Sequence, residues 1–511
     1  MELRQLKLLV RSMKIEKFLK KEYLFLLLII ILGSYIRLAG IANNTFAYTY
    51  DVGRDLLAVS NILTTHKISL IGPTTGLEGV FYGPWWYLII LPFFVLSRGD
   101  PQWITGLMAF LGIAAIPLIY YLGKKIGGVF TATALALTLA VCQPISTLTG
   151  QIWSPNISPP FIVITFIILY KIYSDKKPNY WNYFWLGLVT TLIQEMGIVF
   201  GVIFLSGIIL SLVVNIRNKF RIKDIPSFLL GVFVILFPRI LFEFRHNFLM
   251  SKAFLHFLSA GEPGQNVSIF IRGADRFNLL LNDFNYTFGF SSVLWTALFI
   301  IIIILALVLY YKKADLILKK MINSFLSVIA VFFIALTLFR HEIWPHYLVS
   351  LPIVFILLFI FSLGLIAKNI KNYILPSIII LILVILNVNF VGIIDNFTNT
   401  APKLKDIAVY ANQVEVLDYV YSQSAGRNFK YVVYTPPVHD YTYRYLFQWY
   451  GPYKYHYLPS DKASLAFFIL EPDKSNPKRL SDWLKSREND GNIIKSKTFY
   501  SGIIVQTRIT K

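Results

Sequence analysis

One cysteine, Cys142, is present in 511 residues. No disulfide can form within the chain, and the place of Cys142 inside an apolar run reads as a small packed residue rather than a reactive thiol. Charge is scarce: 15% of residues are Asp, Glu, Lys or Arg, against about 25% in an ordinary soluble domain. Acidic side chains are scarcer still, 27 against 48 Lys and Arg, which leaves a net charge of +21. The sequence has no base-stacking module and no basic helix repeat, so this charge does not point to nucleic acid. The first apolar run is followed by no small-residue cleavage site, which argues against a removed signal peptide.

What fills the chain instead is apolar surface. Hydrophobic residues make up 56% and aromatics 16%, and the mean hydropathy is +0.61. They come in blocks such as EYLFLLLIIILGSYIRLAGIA and SSVLWTALFIIIIILALVLYY, and a window of about 18 or more apolar residues reads as a membrane span. The expected fold is an α-helical polytopic membrane protein with about eleven spans. These are read at 22–41, 101–122, 127–144, 157–173, two within 181–214, 226–243, 291–311, 321–339, 347–367 and 372–394.

The cations set the orientation. Arg4, Lys7, Arg11, Lys14, Lys17, Lys20 and Lys21 precede the first span, which places the N-terminus in the cytoplasm. Lys124 and Lys125 are expected inside, as are Lys171, Lys176 and Lys177, then Arg217, Lys219, Arg221 and Lys223, and later Lys312, Lys313, Lys319, Lys320, Lys368 and Lys371. This parity holds only if GPWWYLIILPFFVLS, residues 83–97, does not cross. It is short, Pro92 interrupts it, and it reads as a juxtamembrane helix at the outer face. The chain divides into a membrane domain, 1–395, and an extracytoplasmic α/β domain, 396–511, where the composition changes. In the second part LKDIAVYANQVEVLDYVYSQ and NPKRLSDWLKSREN read as helices, and KYVVYT, SLAFFIL and SGIIVQTRI as strands. No phosphate loop, triad signature or metal-ligand spacing occurs there. This domain is expected to shape acceptor access without supplying the chemistry.

The unusual polar residues gather in the outer segments. Asp51, Arg54 and Asp55 follow the first span in YTYDVGRDLLAVSN, and Glu78 and Tyr82 follow in LEGVFYGPWW. Trp153 and Asn156 sit in GQIWSPN, and Glu195 in QEMG. Arg239, Arg245 and His246 end a span in FPRILFEFRHNF, and His346 closes FRHEIWPHY. Ionisable groups at span ends are functional candidates. Each also has a plainer reading. Asp55 can simply pair with Arg54, Arg239 and Arg245 can snorkel to headgroups, and Glu195 can be a solvated turn carboxylate. His341 and His346 are five apart and make a poor metal pair. The weight lies in carboxylates and cations converging on one face. There a carboxylate can take a proton from an acceptor hydroxyl, and arginine can hold a leaving phosphate. No cofactor is implied; a divalent metal has no clear ligand motif and is left open.

YDVGRDLLAVSNIL, LIGPTTGLEGVFYGPWWYLIILP, GQIWSPNISPPF and FPRILFEFRHNF, in this order, resemble bacterial members of the dolichyl-phosphate-mannose protein mannosyltransferase superfamily. These are glycosyltransferases of the GT-C fold, which also includes the aminoarabinose transferases of lipid A. The resemblance covers about residues 20–350. It implies a polyprenyl-phosphate sugar donor and an inverting transfer outside the cytoplasm to a protein, lipid or envelope-glycan acceptor. It also implies a catalytic base in the first outer loop, at Asp51, with Glu78 at a second acidic position. The other ten residues' company of Arg54, Asp55, Tyr82, Trp153, Asn156, Glu195, Arg239, Arg245, His246 and His346 then reads as substrate-binding. The chain departs from the family pattern in GPWW, where many relatives have two prolines, and in QEMG, where some carry a histidine. Both leave the sugar and the acceptor open. The rival reading is a transporter or lipid flippase of envelope assembly, against which stand the lack of an internal duplication and the outer rather than midplane charges.

Overall fold

The computed structural model describes residues 21–176, 179–216, 224–259, 267–290, 292–397, 404–436 and 439–509. The cations Arg4, Lys7, Arg11, Lys14, Lys17 and Lys20, together with Lys177, Arg217, Lys219, Arg221 and Lys223, lie outside the described residues. The protein is a multi-pass helical membrane protein capped by a small sheet. Its membrane part begins with α1 (Lys21–Ala42), α2 (Tyr50–Thr65), α3 (Trp85–Leu96) and α4 (Pro101–Val141). It continues through α5 (Gln143–Leu148), α6 (Ser158–Ser174), α7 (Tyr180–Met196), α8 (Ile198–Ile216) and α9 (Ile225–Arg245). Then follow α10 (Leu249–Ser259), α11 (Ile269–Phe288), α12 (Val293–Leu305), α13 (Leu316–Leu338), α14 (Leu351–Ile370), α15 (Ile374–Asn387) and α16 (Phe390–Phe397).

Among the described residues eight helices are long and apolar enough to cross a membrane. Two features separate this number from about eleven. Helix α4 runs 41 residues and breaks at Gly128, where φ is +82, so one continuous element covers two of the expected spans. Helices α7 and α15 are only 17 and 14 residues long, and α7 carries Asn182, Gln194 and Glu195. The segment 244–290, which lies between two expected spans, holds α10 and α11. Leu280, Phe284 and Phe288 of α11 are buried in the main core with Phe355 and Phe359 of α14. The cause is an apolar stripe at helical spacing on an otherwise polar segment, which a search for continuous apolar runs passes over.

Helix α3 has 12 residues, about 18 Å of helix, short of the roughly 30 Å hydrocarbon core. Trp86, Tyr87, Ile90 and Phe94 are buried and Pro92 is exposed. This helix lies against α2, α4 and α7.

The C-terminal part comprises α17 (Tyr410–Ser424), β1 (Phe429–Tyr434), α18 (Tyr441–Tyr450), β2 (Leu465–Leu470), α19 (Pro477–Ser486), β3 (Asn492–Thr498) and β4 (Ile504–Ile509). The sheet order is β1-β2-β4-β3. The first pair is parallel and the other two antiparallel. The three strands expected from β-branched and aromatic runs are present. Strand β3 and helix α18 were not expected: β3, NIIKSKT, is exposed along its whole length and its lysines suit a sheet edge, while α18 is so rich in tyrosine that it lacks a helix-forming signature.

Helix α18 docks this layer onto α2. Val52, Leu56 and Val59 share one buried cluster with Leu417, Tyr443, Leu446 and Phe447. A Cβ on Gly53 would sit 2.5 Å from the Thr442 nitrogen, so glycine sets the closeness of that packing. Tyr48 N donates to Ala408 O (2.6 Å), Gln413 Nε2 to Tyr48 O (3.1 Å) and Trp449 Nε1 to Arg98 O (2.8 Å). Residue 98 and the C-terminal layer therefore lie on one face of the bundle. Lys124 pairs instead with Glu22 near the start of α1, at 3.0 Å. A cysteine replacing exposed Arg98 should react with an impermeant maleimide in intact cells, and one replacing Lys124 only after permeabilisation. The native Cys142 is buried and leaves a low background. Labelling at 98 that needs permeabilisation would overturn the outer-face placement.

Candidate active site

Helix α2 is amphipathic: Val52, Asp55, Leu56, Val59 and Ile62 are buried at spacings of three and four. Asp51 stands in its first turn, where the positive end of the helix favours a carboxylate. The three-residue step from Asp51 to Arg54 brings them together. Arg54 Nη1 lies 2.8 Å from Asp51 Oδ1, and Arg54 Nη2 lies 2.9 Å from Asp55 Oδ1. Arg54 Nε also donates to Asp55 Oδ1, at 2.9 Å. One guanidinium thus bridges two carboxylates whose surroundings differ. The Asp51 side chain is 37% exposed and that of Asp55 is 0% exposed. The second oxygen of Asp55 accepts from Trp86 Nε1 at 2.7 Å. Burial pushes the Asp55 carboxyl up to about 6, against the opposing pull of Arg54 and Trp86. Burial works to lower Arg54, and the two carboxylates outweigh it, so its pKa is raised. Asp55 is saturated and enclosed; Asp51 faces open space.

Trp86 belongs to the segment YGPWW, which is itself pinned. Trp85 Nε1 donates to Ile235 O of α9 at 2.7 Å. The Gly83 backbone N–H faces the Glu195 carboxylate. Glu195, fully buried at the end of α7, lies 3.0 Å from Arg239 Nη1 of α9. A Cβ at Gly83 would overlap the Glu195 carboxylate. The Glu195 carboxylate, paired with Arg239, therefore packs closely on the segment whose Trp86 holds Asp55. Gly83→Ala should lower thermal stability by about 1–3 kcal/mol, the usual cost of overpacking, and Glu195→Ala in the same chain should recover part of it. Additive losses in a double-mutant cycle, followed by thermal unfolding in detergent, would show that the two sites do not touch.

The other predicted residues fall in two groups. His346 is bracketed by the rings of Tyr347, Trp153 and Trp344, with centroids at 4.7, 5.5 and 5.8 Å. Burial lowers its pKa, and the charge of Asp51 acts the other way, so His346 and Asp51 are electrostatic neighbours. Burial raises the Tyr82 hydroxyl to about 12, with Tyr347, Arg54 and Asp51 also acting on it. Asp51, Arg54, Asp55, Tyr82, Trp153 and His346 thus form one region. Asn156 is buried below it, and its Nδ2 donates to Gln151 O at 3.3 Å. Glu78, by contrast, is exposed at the tip of a hairpin closed by the Thr74–Phe81 bridge. Arg245 is exposed at the end of α9. His246 stacks on Phe242 at 4.0 Å, and Phe242 in turn meets the Phe81 ring.

Three side chains of this region were not singled out from sequence. Trp86 lies in the segment expected as a juxtamembrane helix, although an indole N–H near charged residues asks for an acceptor. Trp344 and Asp283 lie between expected spans. Two cavities flank the centre. One of about 470 Å³ is lined by Arg54, Ile62, Lys67, Ile71, Thr74 and Phe81. The other, of about 370 Å³, has Trp153, Trp344 and His346 among its walls. Among the described residues no three His, Cys, Asp or Glu side chains come together as a metal site.

No family model matches the sequence, and no curated protein matches it. Solved structures do match its fold. ArnT from Cupriavidus metallidurans bound to undecaprenyl phosphate is similar with a TM-score of 0.58 at 11% identity, over 95% of this chain and 97% of that one. Its apo state is similar with a TM-score of 0.56 at 10% identity, over the same shares. The Archaeoglobus fulgidus oligosaccharyltransferase in complex with Zn and sulfate is similar with a TM-score of 0.51 at 12% identity, over 94% of this chain and 72% of that chain. The chain has the GT-C fold. Coverage of 95% brings the C-terminal layer within the GT-C match together with the bundle.

Proposed function

We propose that this protein transfers a sugar from a polyprenyl-phosphate donor to an acceptor hydroxyl at the outer face of the cytoplasmic membrane. The observation that carries this reading is the Asp51–Arg54–Asp55 cluster: an open carboxylate fixed to a guanidinium beside a cavity, in a GT-C fold. Asp51 takes the proton of the acceptor hydroxyl as its oxygen attacks the anomeric carbon. The bond from that carbon to the phosphate oxygen breaks, the configuration inverts, and polyprenyl phosphate leaves with the electron pair. Arg54 keeps Asp51 in place and presents positive charge where the phosphate develops negative charge. Asp55, itself held by Trp86, holds Arg54. The N-terminus lies in the cytoplasm and the 396–511 domain outside, shaping acceptor access. The acceptor is a protein, a lipid or an envelope glycan.

Support comes from the fold, from the exposure of Asp51 and from the cavity lined by Arg54 and Lys67, where a guanidinium can hold a lipid phosphate. The test is a reaction of purified protein in nanodiscs with a panel of polyprenyl-phosphate sugars. Release of free polyprenyl phosphate, read by mass spectrometry together with the glycosylated product or free sugar, is the expected result. Release of lipid phosphate from no member of the panel would overturn the reading. Comparison of envelope glycans, lipids and glycoproteins from cells with and without the protein then identifies the acceptor.

A further inference from the structure

We infer that the cavity walled by Trp153, Trp344, His346, Tyr286, Asn282 and Asp283 is a sugar subsite, with Asp283 hydrogen-bonding a ring hydroxyl. The inference rests on the glycosyl-transfer reading and adds to it a place and a recognition residue. The cavity has a volume of about 370 Å³, at the small end of the range of about 300–1,000 Å³ seen for small-molecule sites. Its walls are mainly apolar and aromatic, with a few polar groups at one side. That combination matches a sugar ring, which has apolar C–H faces and a rim of hydroxyls. Trp153 and Trp344 both meet His346 edge-on, at 5.5 and 5.8 Å, so the rings form a corner rather than a closed stack.

Asp283 supplies the independent observation. Its Oδ2 atom is buried and has no hydrogen-bond partner among the described residues. Burial alone raises its carboxyl, to about 7, and no cation offsets it. A buried polar atom without a partner is costly. An isoprenoid chain in this cavity would leave that cost in place and would also leave Asn282 without a ligand bond. A sugar hydroxyl at the carboxyl offsets it, because a carboxylate accepts a hydrogen bond and a carboxylic acid can donate one. The position is also apt. His346 lines the cavity and lies within electrostatic reach of Asp51, so a ring held here would stand beside the proposed base. Beyond it lies a more polar cavity of about 520 Å³, which shares Leu279, Asn282 and Ile343 with the first and includes Arg276 and Glu342. A glycan longer than one ring has room to continue there.

A sugar ring can come from the donor or from the acceptor. The experiment uses the full chain in nanodiscs, with a short prenyl phosphate, the same prenyl phosphate carrying each of several hexoses, and the matching methyl glycosides as probes. Binding is read by intrinsic tryptophan fluorescence for wild type, Asp283→Leu and Asp283→Asn. The expected result is that one sugar-bearing probe binds at least about tenfold more tightly than its sugar-free counterpart, and that Asp283→Leu removes this preference while Asp283→Asn keeps most of it. Affinity for the bare prenyl phosphate should not change. Loss of the preference for the prenyl-linked hexose marks the donor sugar; loss of methyl glycoside binding alone marks the acceptor. If Asp283→Leu does not fold, Trp344→Ala, at a half-exposed residue, takes its place with the same expected loss. A sugar preference untouched by these changes would overturn the inference, as would wild type showing no preference for any sugar. Loss of bare prenyl phosphate affinity would assign the cavity to the lipid and overturn it too. The glycosyl-transfer reading fails separately: a protein with an Asp283-dependent sugar preference but no donor turnover keeps the subsite and loses the reaction.

Discussion

Asp51→Asn should lower sugar transfer by about 10²–10⁴, the usual contribution of a general base, and leave donor affinity close to that of the wild type. Asparagine keeps the size of the side chain and an oxygen that can still face Arg54, whose Nη1 is 2.8 Å from Asp51. What it removes is the capacity to take a proton. Asp51 is the open member of the cluster, and the buried Asp55 already has Arg54 and Trp86 as partners. The unfolding midpoint of the variant should stay near that of the wild type, because a half-exposed ion pair contributes about 0–1 kcal/mol. Transfer rate and donor binding in nanodiscs, with thermal unfolding as the control, separate these effects. Transfer at nearly the wild-type rate would remove Asp51 from the role of base. Glu195 would be a poor replacement, because it is enclosed by Arg239 and Gly83, and Glu78 would become the carboxylate to test.

The second large effect is expected at Asp55, and it should be one of stability. Asp55→Asn leaves Trp86 Nε1 an oxygen to donate to but takes the charge away from a guanidinium that is largely enclosed. Removing one partner of a buried ion pair costs about 3–5 kcal/mol. The remaining contact of Arg54 with Asp51 places the expected loss near the lower end. A marked fall in the unfolding midpoint should therefore accompany a smaller fall in transfer than Asp51→Asn causes. Loss of transfer with an unchanged midpoint would mean that Asp55 acts in the chemistry rather than in holding Arg54. The two aspartates thus make opposite predictions from positions one helical turn apart, and thermal unfolding is the measurement that divides them.

The membrane class, the order of the apolar segments and the grouping of charge between them were legible in the sequence. Each rests on local properties: a long apolar run can satisfy its backbone only as a helix in lipid, and lysine clusters mark its ends. The short helix at 83–97 followed from the same parity. Helix α11 was not legible, because its buried residues are spaced along a polar stretch and only its packing on α13 and α14 shows which face is covered. Strand β3 was missed because an exposed edge strand has no apolar alternation to read.

In the candidate site, the sequence by itself determined that Asp51, Arg54 and Asp55 share one helical surface, since a spacing of three or four residues fixes that. It could not determine which aspartate is open. Tertiary structure decided it, by laying α3 against α2 so that the Trp86 indole reaches Asp55 and water is excluded there but not at Asp51. Tertiary structure alone also set Glu195 against Gly83, and gathered Trp153, Asp283 and His346 around one cavity. The physical reason is that the environment of a carboxylate depends on desolvation and on partners within a few ångströms. Here those partners come from other helices, whose approach is fixed by the packing of the whole bundle rather than by any local pattern.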